Sequence, residues 1–269
     1  MANPQTLRLN AASHELLVRR TRGRADVELR RKRDGAVLAR GAGRTAVVLV
    51  AHPAGRAEAN RALRALAPLA AGAGLRLSLA VRARGRAPAR STKAPIALPA
   101  DYGATRGLER MHEPRVLRSI GRDRYGREAF LAPAAARAWS RMRAAARSDG
   151  IELELVSAFR SAAYQAALVA RKVAAGRTLE DVLAANAAPG YSEHHAGRAI
   201  DVSTPGSRPL EEEFETTDAF RWLASRAGEF GFRMSFARGN RHGISYEPWH
   251  WCYSRGWQPP CWRLLREYP

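Results

Sequence analysis

The sequence is poor in cysteine, in lysine and in long apolar runs. Two cysteines in 269 residues, Cys252 and Cys261, exclude a disulfide framework. A chain of this length can bury a core without such staples. Nine positions apart and alone, the two do not form a zinc knuckle. In an oxidising compartment they could pair, closing a loop worth about 2–3 kcal/mol; in a reducing one they are free thiols. The longest apolar run, Thr45 to Ala51, is far below the roughly 20 residues a membrane helix needs. No membrane span is expected. The first hundred residues also lack the roughly 7–15-residue apolar stretch of a secretory signal, so a cytoplasmic protein is the plain reading. There is no internal repeat and no heptad pattern. A hydrophobic share of 46% nonetheless excludes wholesale disorder.

What the chain has in excess is arginine. Lys+Arg is 45 against 25 for Asp+Glu, and only Lys32, Lys93 and Lys172 are lysines. Such a bias follows from a GC-rich genome as readily as from selection for charge. The surplus is not evenly spread. Residues 1–100 hold 20 basic and 5 acidic side chains, 101–150 hold 11 and 6, and 151–269 hold 14 of each. A basic surface of this size attracts nucleic acid, anionic lipid or acidic wall polymer. No RNA- or DNA-binding motif is visible, so nucleic acid is not expected as a partner. An Arg-rich solvated surface on an accessory region is preferred over a dedicated binder of anionic polymer.

Three segments follow from pattern and punctuation. Residues 1–84 form a basic accessory region of small α/β type. A hairpin over 24–42 turns at Asp34-Gly35, where Gly tolerates positive φ. A strand at 45–51, a helix at 57–70 ended by Gly72 and Gly74, and a strand at 75–81 follow. Residues 85–125 are a linker or wrapping segment, Pro-rich and aperiodic over 84–100. Residues 126–269 carry helices at 133–147, 161–174, 179–187 and 218–230. Strands are expected at 151–156, 200–203, 233–236 and 250–253. Helices and short strands do not alternate regularly, so the fold class is α+β.

The neutral half carries three patches with chemistry. The first is Ser192-Glu193-His194-His195-Ala196-Gly197-Arg198-Ala199-Ile200-Asp201, the second Glu247-Pro248-Trp249-His250-Trp251, and the third Ser157-Ala158-Phe159-Arg160-Ser161. A hydrolytic zinc site uses three protein ligands and keeps one position open for water. His194 and Asp201 supply an imidazole and a carboxylate from the two ends of a Gly-containing turn, and His250 completes the set. Glu247, three residues before His250, is placed to take a proton from water and pass it to a leaving amine. Arg160 suits either of two jobs, holding a substrate carboxylate or stabilising an oxyanion, because a guanidinium stays charged and donates in a fork.

The run S-x-H-x-x-G-x-A-x-D from Ser192 to Asp201, followed by E-P-W-H-W from Glu247 to Trp251, resembles the VanY-type D-alanyl-D-alanine carboxypeptidases. These belong to the M15 zinc peptidases, which include L,D-carboxypeptidases and phage endopeptidases. The resemblance covers roughly residues 126–253. It implies a small antiparallel sheet flanked by helices, one Zn2+ held by His194, Asp201 and His250, and Glu247 as catalytic base. It also implies substrate contacts from Arg160, Ser161, Gln165 and Ser192. Cys252 stands where many relatives have a basic residue. The activity implied is removal of the C-terminal D-alanine from peptidoglycan stem peptides or muropeptides. L,D-cleavage of tetrapeptides in muropeptide recycling, endopeptidase action, and anionic-polymer binding through the N-terminal region are the alternatives. An exported enzyme would work in the periplasm or cell envelope.

Other candidates have plainer readings. Glu193 and His195 are expected as turn residues or as supports behind the ligands. His242 is read as structural or exposed, and His14, His52 and His112 lie outside the motifs. Trp249 and Trp251 are expected to pack around the site and exclude water. Glu211, Glu212, Glu213 and Glu215 read as a solvated helix start.

Overall fold

A computed structural model describes residues 5–21, 23–51, 55–81 and 98–254. Cys261, and with it any Cys252–Cys261 pairing, lies outside the described residues, as does most of the 84–100 segment.

Two sheets and the helices around them make a mixed α/β fold. The larger sheet has eight strands in the order β6-β5-β4-β3-β2-β1-β7-β8. In chain order these are β1 (Gln5–Asn10), β2 (His14–Thr21), β3 (Arg24–Arg31), β4 (Val37–Gly43), β5 (Ala46–Ala51), β6 (Arg76–Val81), β7 (Val116–Arg122) and β8 (Glu128–Leu131). Neighbours are antiparallel except β5 and β6. That parallel pair needs a crossover, and helix α1 (Arg56–Gly72) provides it. The β3–β4 turn falls at Asp34-Gly35, as its sequence predicts. Gly35 has φ +69° and the Asp34 side chain accepts from the Ala36 amide at 3.1 Å.

Strand β5 alternates exposed and buried residues, and its inward side chains meet α1. The core under that helix is built from Leu16, Val18, Leu29, Leu49 and Leu66. Strand β2 differs, because Glu15, Leu16, Leu17 and Val18 are all buried. Both of its faces are covered. Leu16 and Val18 face α1, whereas Leu17 joins Leu117, Phe130 and Phe159 on the opposite side.

The sequence does not foreshadow β1, β2, β7 and β8, because arginines interrupt the apolar pattern of the first three and β8 is only four residues long. Arg8 shows how such a residue is accommodated. Its guanidinium pairs with Glu15 through two 2.6 Å bonds and lies over the rings of Phe130 and Phe159. The accessory region is therefore larger than a small α/β unit. Its sheet continues through β7 and β8, across the division expected near residue 125.

The second sheet has four antiparallel strands in the order β11-β12-β10-β9, as the small antiparallel sheet was expected to be. They are β9 (Glu154–Ser157), β10 (Ala199–Ser203), β11 (Phe232–Met234) and β12 (His250–Tyr253). Strand β10 is buried along its whole length. The short helix α2 (Tyr102–Thr105) precedes the first catalytic-half elements, and α3 (Pro133–Ser148), α4 (Ala162–Ala174), α5 (Leu179–Ala184) and α6 (Asp218–Arg226) complete the helices. Trp139 and Met142 of α3 and Leu223 of α6 pack with Ile200, Val202, Phe214 and Phe232 into one core. That core fixes β10 and β12 side by side, the step on which the site depends. No helix among the described residues is long and apolar enough to cross a membrane.

Candidate metal centre

Strand pairing assembles the cluster. Asp201 of β10 lies directly opposite His250 of β12 on one side and Ser157 of β9 on the other. Paired strands hold such facing side chains in contact. His194 arrives from the chain just before β10, on a single 3-10 turn over Glu193–Ala196. Gly197 ends that turn at φ +63°. A Cβ there would lie 2.8 Å from Leu117 Cδ2 and 2.9 Å from the Ala132 amide nitrogen. Glycine is therefore demanded twice, by the backbone angle and by the close approach of the larger sheet.

The ligand atoms of His194, Asp201 and His250 fall within 4.8 Å of one another, and all three residues are buried. Their hydrogen bonds fix how each ring is presented. His194 Nδ1 lies 2.7 Å from the Ala158 carbonyl, which can only accept, so Nδ1 carries the hydrogen. Its Nε2 lone pair is left facing Asp201 Oδ1 at 3.3 Å with no hydrogen-bond donor. On His250, Nε2 meets Glu193 Oε2 at 2.8 Å and Nδ1 meets Asp201 Oδ1 at 3.0 Å.

The electrostatics follow from burial and these neighbours. Burial, with Arg160 adding, pushes His194 down to about 4, so this imidazole is neutral at pH 7. Burial works against the charge on His250 too. Asp201 and Glu193 outweigh it and raise His250 to about 10. Asp201 is held well below the usual carboxylate range, because His194 and His250 more than offset the cost of burying it. Two electron pairs and a carboxylate thus converge on one point. Without metal, the extra proton on His250 answers that negative density. The donor set fits a Zn2+ with two imidazoles and one carboxylate. Glu193 behind His250 and the Ala158 carbonyl behind His194 are the outer hydrogen bonds that orient metal-binding imidazoles.

Around this cluster lie the other expected residues. Glu247 Oε2 is 3.8 Å from His250 Nδ1, and burial raises its carboxyl to about 7 although His250 opposes the shift. Its amide donates to the Phe236 carbonyl at 3.0 Å, which ties the loop before β12 to the site. Arg160 places a guanidinium nitrogen 3.9 Å from Asp201 Oδ2, and its Nε is buried without a partner. Ser192 is buried at the start of the 3-10 turn. Ser161 and Gln165 have internal duties. The Ser161 hydroxyl caps α4 by accepting from the Tyr164 amide at 3.1 Å. The Gln165 side-chain amide donates to the Ala187 carbonyl at 3.0 Å, while its Oε1 has no partner.

Three further residues support the site. His195 is buried, and its Nδ1 holds the Arg160 carbonyl at 2.6 Å. Glu113 accepts from the Ala162 amide at 2.9 Å, at the first residue of α4, and pairs with the buried Lys32 of the larger sheet. Phe236 sets its ring 4.9 Å from the His250 ring. His195 falls where a support behind the ligands is expected, whereas Glu113 and Phe236 cannot be found from spacing, because each acts across the fold. Trp251 packs in the core beside the site, its indole nitrogen donating to the Pro248 carbonyl at 3.0 Å. Cys252 is buried in β12, and burial together with Glu193 raises its thiol.

Two buried imidazoles and a buried carboxylate, with Glu247 beside them, make a donor set that fits a metal ion. The sequence profile of the D-alanyl-D-alanine carboxypeptidase family VanY matches residues 128–256. The bifunctional D-Ala-D-Ala dipeptidase and D-Ala-D-Ala carboxypeptidase VanXYC of Enterococcus gallinarum is 30% identical over 140 residues, which is 47% of this chain and 68% of that protein. A D-alanyl-D-alanine carboxypeptidase of Enterococcus faecalis is 32% identical over 119 residues, or 40% of this chain and 42% of its own length. The solved structure of the LdcB LD-carboxypeptidase is 29% identical and superimposes on 49% of this chain and 64% of its own, with a TM-score of 0.46. The chain belongs to the VanY-type D-alanyl-D-alanine carboxypeptidase family. It spans less than half the length of two of the curated relatives it matches.

Proposed function

We propose that the protein is a zinc-dependent carboxypeptidase that removes the C-terminal D-alanine from peptidoglycan stem peptides. The observation that carries this reading is the convergence of the His194 lone pair, Asp201 and His250, with Glu247 alongside and outside the ligand set. Zn2+ held by these three residues would acidify water and polarise the scissile carbonyl. The protein's own groups supply the rest. Glu247, raised towards neutrality by burial, takes the proton of the attacking water and returns it to the amine of the departing D-alanine. Its operating range suits both transfers. The unpartnered guanidinium edge of Arg160 receives negative charge on the substrate, and His195 fixes the backbone from which it projects.

Mass spectrometry of products from pentapeptide and tetrapeptide muropeptides tests the reading. Zinc-loaded protein should release one D-alanine from the pentapeptide, and Glu247→Gln should keep its zinc while losing about 100- to 10,000-fold in rate. Release from the tetrapeptide instead would identify an L,D-carboxypeptidase. Internal cleavage that needs no free carboxylate would identify an endopeptidase. Full activity in Glu247→Gln would overturn the mechanism. Arg160→Lys separates that residue's two roles, because loss of carboxylate binding raises KM and loss of oxyanion stabilisation lowers kcat.

A further inference from the structure

Away from the ligand cluster lies a second concavity, a groove of about 870 Å³ between the larger sheet and α3. Arginine dominates its walls. Arg19 comes from β2, Arg118 and Arg122 from β7, and Arg143 and Arg147 from α3, and Glu128 is the lone acidic lining residue. Glu128 is already engaged by Arg19 at 3.0 Å, and Arg122 donates to the Gly126 carbonyl. Arg118, Arg143 and Arg147 have no carboxylate or carbonyl partner among the described residues. Folding has gathered these cations into one groove with almost nothing to offset them, an arrangement that repels itself and attracts anions.

The shape narrows the choice of anion. On α3, Ala136, Ser140, Ala144, Arg143 and Arg147 share one stripe, so short side chains make the floor and arginines stand over it. Arg143 and Arg147 are one helical turn apart, with Cβ atoms about 5–6 Å from each other. That spacing is of the order separating successive phosphates on an extended chain. The groove is much larger than a single phosphate and draws its lining from five elements, which suits a strand of anions. Guanidinium forks suit phosphate oxygens. The one aromatic side chain in the lining, Trp139, is 2% exposed, so there is no ring on which a nucleobase could stack. The lining also presents no large exposed apolar side chain for insertion into a lipid surface.

We propose that this groove binds a linear phosphodiester polymer of the polyol-phosphate class, lying along α3 with its phosphates on Arg118, Arg143 and Arg147. The site is independent of the peptidase chemistry. It takes up the alternative of anion binding by the basic N-terminal region, on a groove that region shares with α3. Lining residues come from both halves of the chain, so the surface exists only where the two meet.

Fluorescence anisotropy of the full-length protein with labelled poly(glycerol phosphate) tests the proposal. Binding should saturate and weaken with salt, with a log–log slope of about −2 for three neutralised phosphates on a single-stranded polyanion. Arg143→Gln/Arg147→Gln should lower affinity at least about tenfold, each lost phosphate contact being charge-assisted. Arg61→Gln/Arg64→Gln removes the same charge from the exposed face of α1 and should change affinity by less than about twofold, as screening predicts for distant charges. Equal weakening by both double variants would reduce the effect to net charge and overturn the site. So would the absence of saturable binding. Tighter binding of a single-stranded oligonucleotide, of poly-glutamate or of anionic vesicles would assign the groove to another class of partner. Unchanged circular dichroism and urea unfolding of the groove variants would show that the fold is intact.

Discussion

Lys32 and His250 are both buried beside carboxylates, one in each half of the molecule, and the surroundings treat them in opposite ways. Lys32 is fully answered. Its ammonium donates to the carbonyls of Ala11 at 2.9 Å and Ala12 at 3.3 Å and pairs with Glu113. Other cations of the larger sheet are served similarly, the half-buried Arg8 by Glu15 and the buried Arg31 by Asp34 and Glu58. In the small sheet the balance is reversed. Asp201, the His194 lone pair, Glu193 and Glu247 crowd around the two ring N–H groups that a protonated His250 can contribute. The lesson concerns sign and surplus. A buried ion pair whose members satisfy each other is architecture, whereas a buried surplus of acceptors is a vacancy for a cation.

Removing one acceptor from the surplus gives the largest expected effect. Asp201→Asn keeps the size and the strand pairing but deletes the charged ligand. Zinc measured by mass spectrometry should fall to background, and turnover should fall at least about 1,000-fold with it, since a three-ligand site has none to spare. If Asp201→Asn held zinc at full occupancy, the distinction between the two halves would collapse.

Breaking the satisfied pair should act on stability and not on metal. Glu113→Gln leaves Lys32 buried without its counter-ion and should cost about 3–5 kcal/mol in urea unfolding. Lys32→Met together with Glu113→Gln should recover much of that loss, because neither partner is then stranded. Metal content should stay at the level of the unmodified protein throughout. Glu113 also receives the Ala162 amide at the start of α4, two residues after Arg160. Any residual defect in the double variant should therefore show in substrate handling before it shows in metal binding. Loss of zinc from either variant would mean that the larger sheet builds the metal centre itself.

Between these lies the outer hydrogen bond to His250. Glu193→Gln removes the charge that holds Nε2 at 2.8 Å and should weaken zinc about 10- to 100-fold, measured by competition with a chelator. An unchanged affinity would show that Asp201 alone orients the ring.

The same contrast explains what the sequence discloses. His194, Asp201, His250 and Glu247 are legible because strand pairing and a glycine turn translate fixed spacings into fixed geometry. Asp201 must face His250 once β10 pairs with β12. Helices α3 and α4 are legible from Pro133, from the Ser161 cap and from apolar spacing. In the larger sheet β3 to β6 are legible from the Asp34-Gly35 turn and short apolar runs, whereas β1, β2, β7 and β8 are not, because their partners lie far along the chain. Arg8 reads as polar in a strand until Phe130 and Phe159 are seen beneath it. Phe159 precedes Arg160 and packs on Leu17, Leu117 and Phe130, so the basic half buttresses the segment that carries Arg160. Spacing within a segment cannot disclose a contact made between segments 100 residues or more apart, such as the one between Arg19 and Glu128.

The smallest expected effect concerns the charges that crowd the outside of the larger sheet. Arg40 donates to Glu28 at 2.9 Å, yet its side chain is 68% exposed and Arg30 already holds the same carboxylate. Water and salt screen such a pair, and fixing a long side chain costs entropy. Arg40→Gln should therefore change unfolding free energy by about 0–1 kcal/mol, and less at high salt. Glu28 sits below its ordinary value because the bonds from Arg30 and Arg40 outweigh its partial burial. Loss of Arg40 leaves Arg30 in place, so the carboxylate keeps a partner and is not stranded as Lys32 would be. A cost above about 2 kcal/mol would lie outside the range of exposed pairs. It would show that surface arginines, and not only the buried pairs beneath them, hold the larger sheet together.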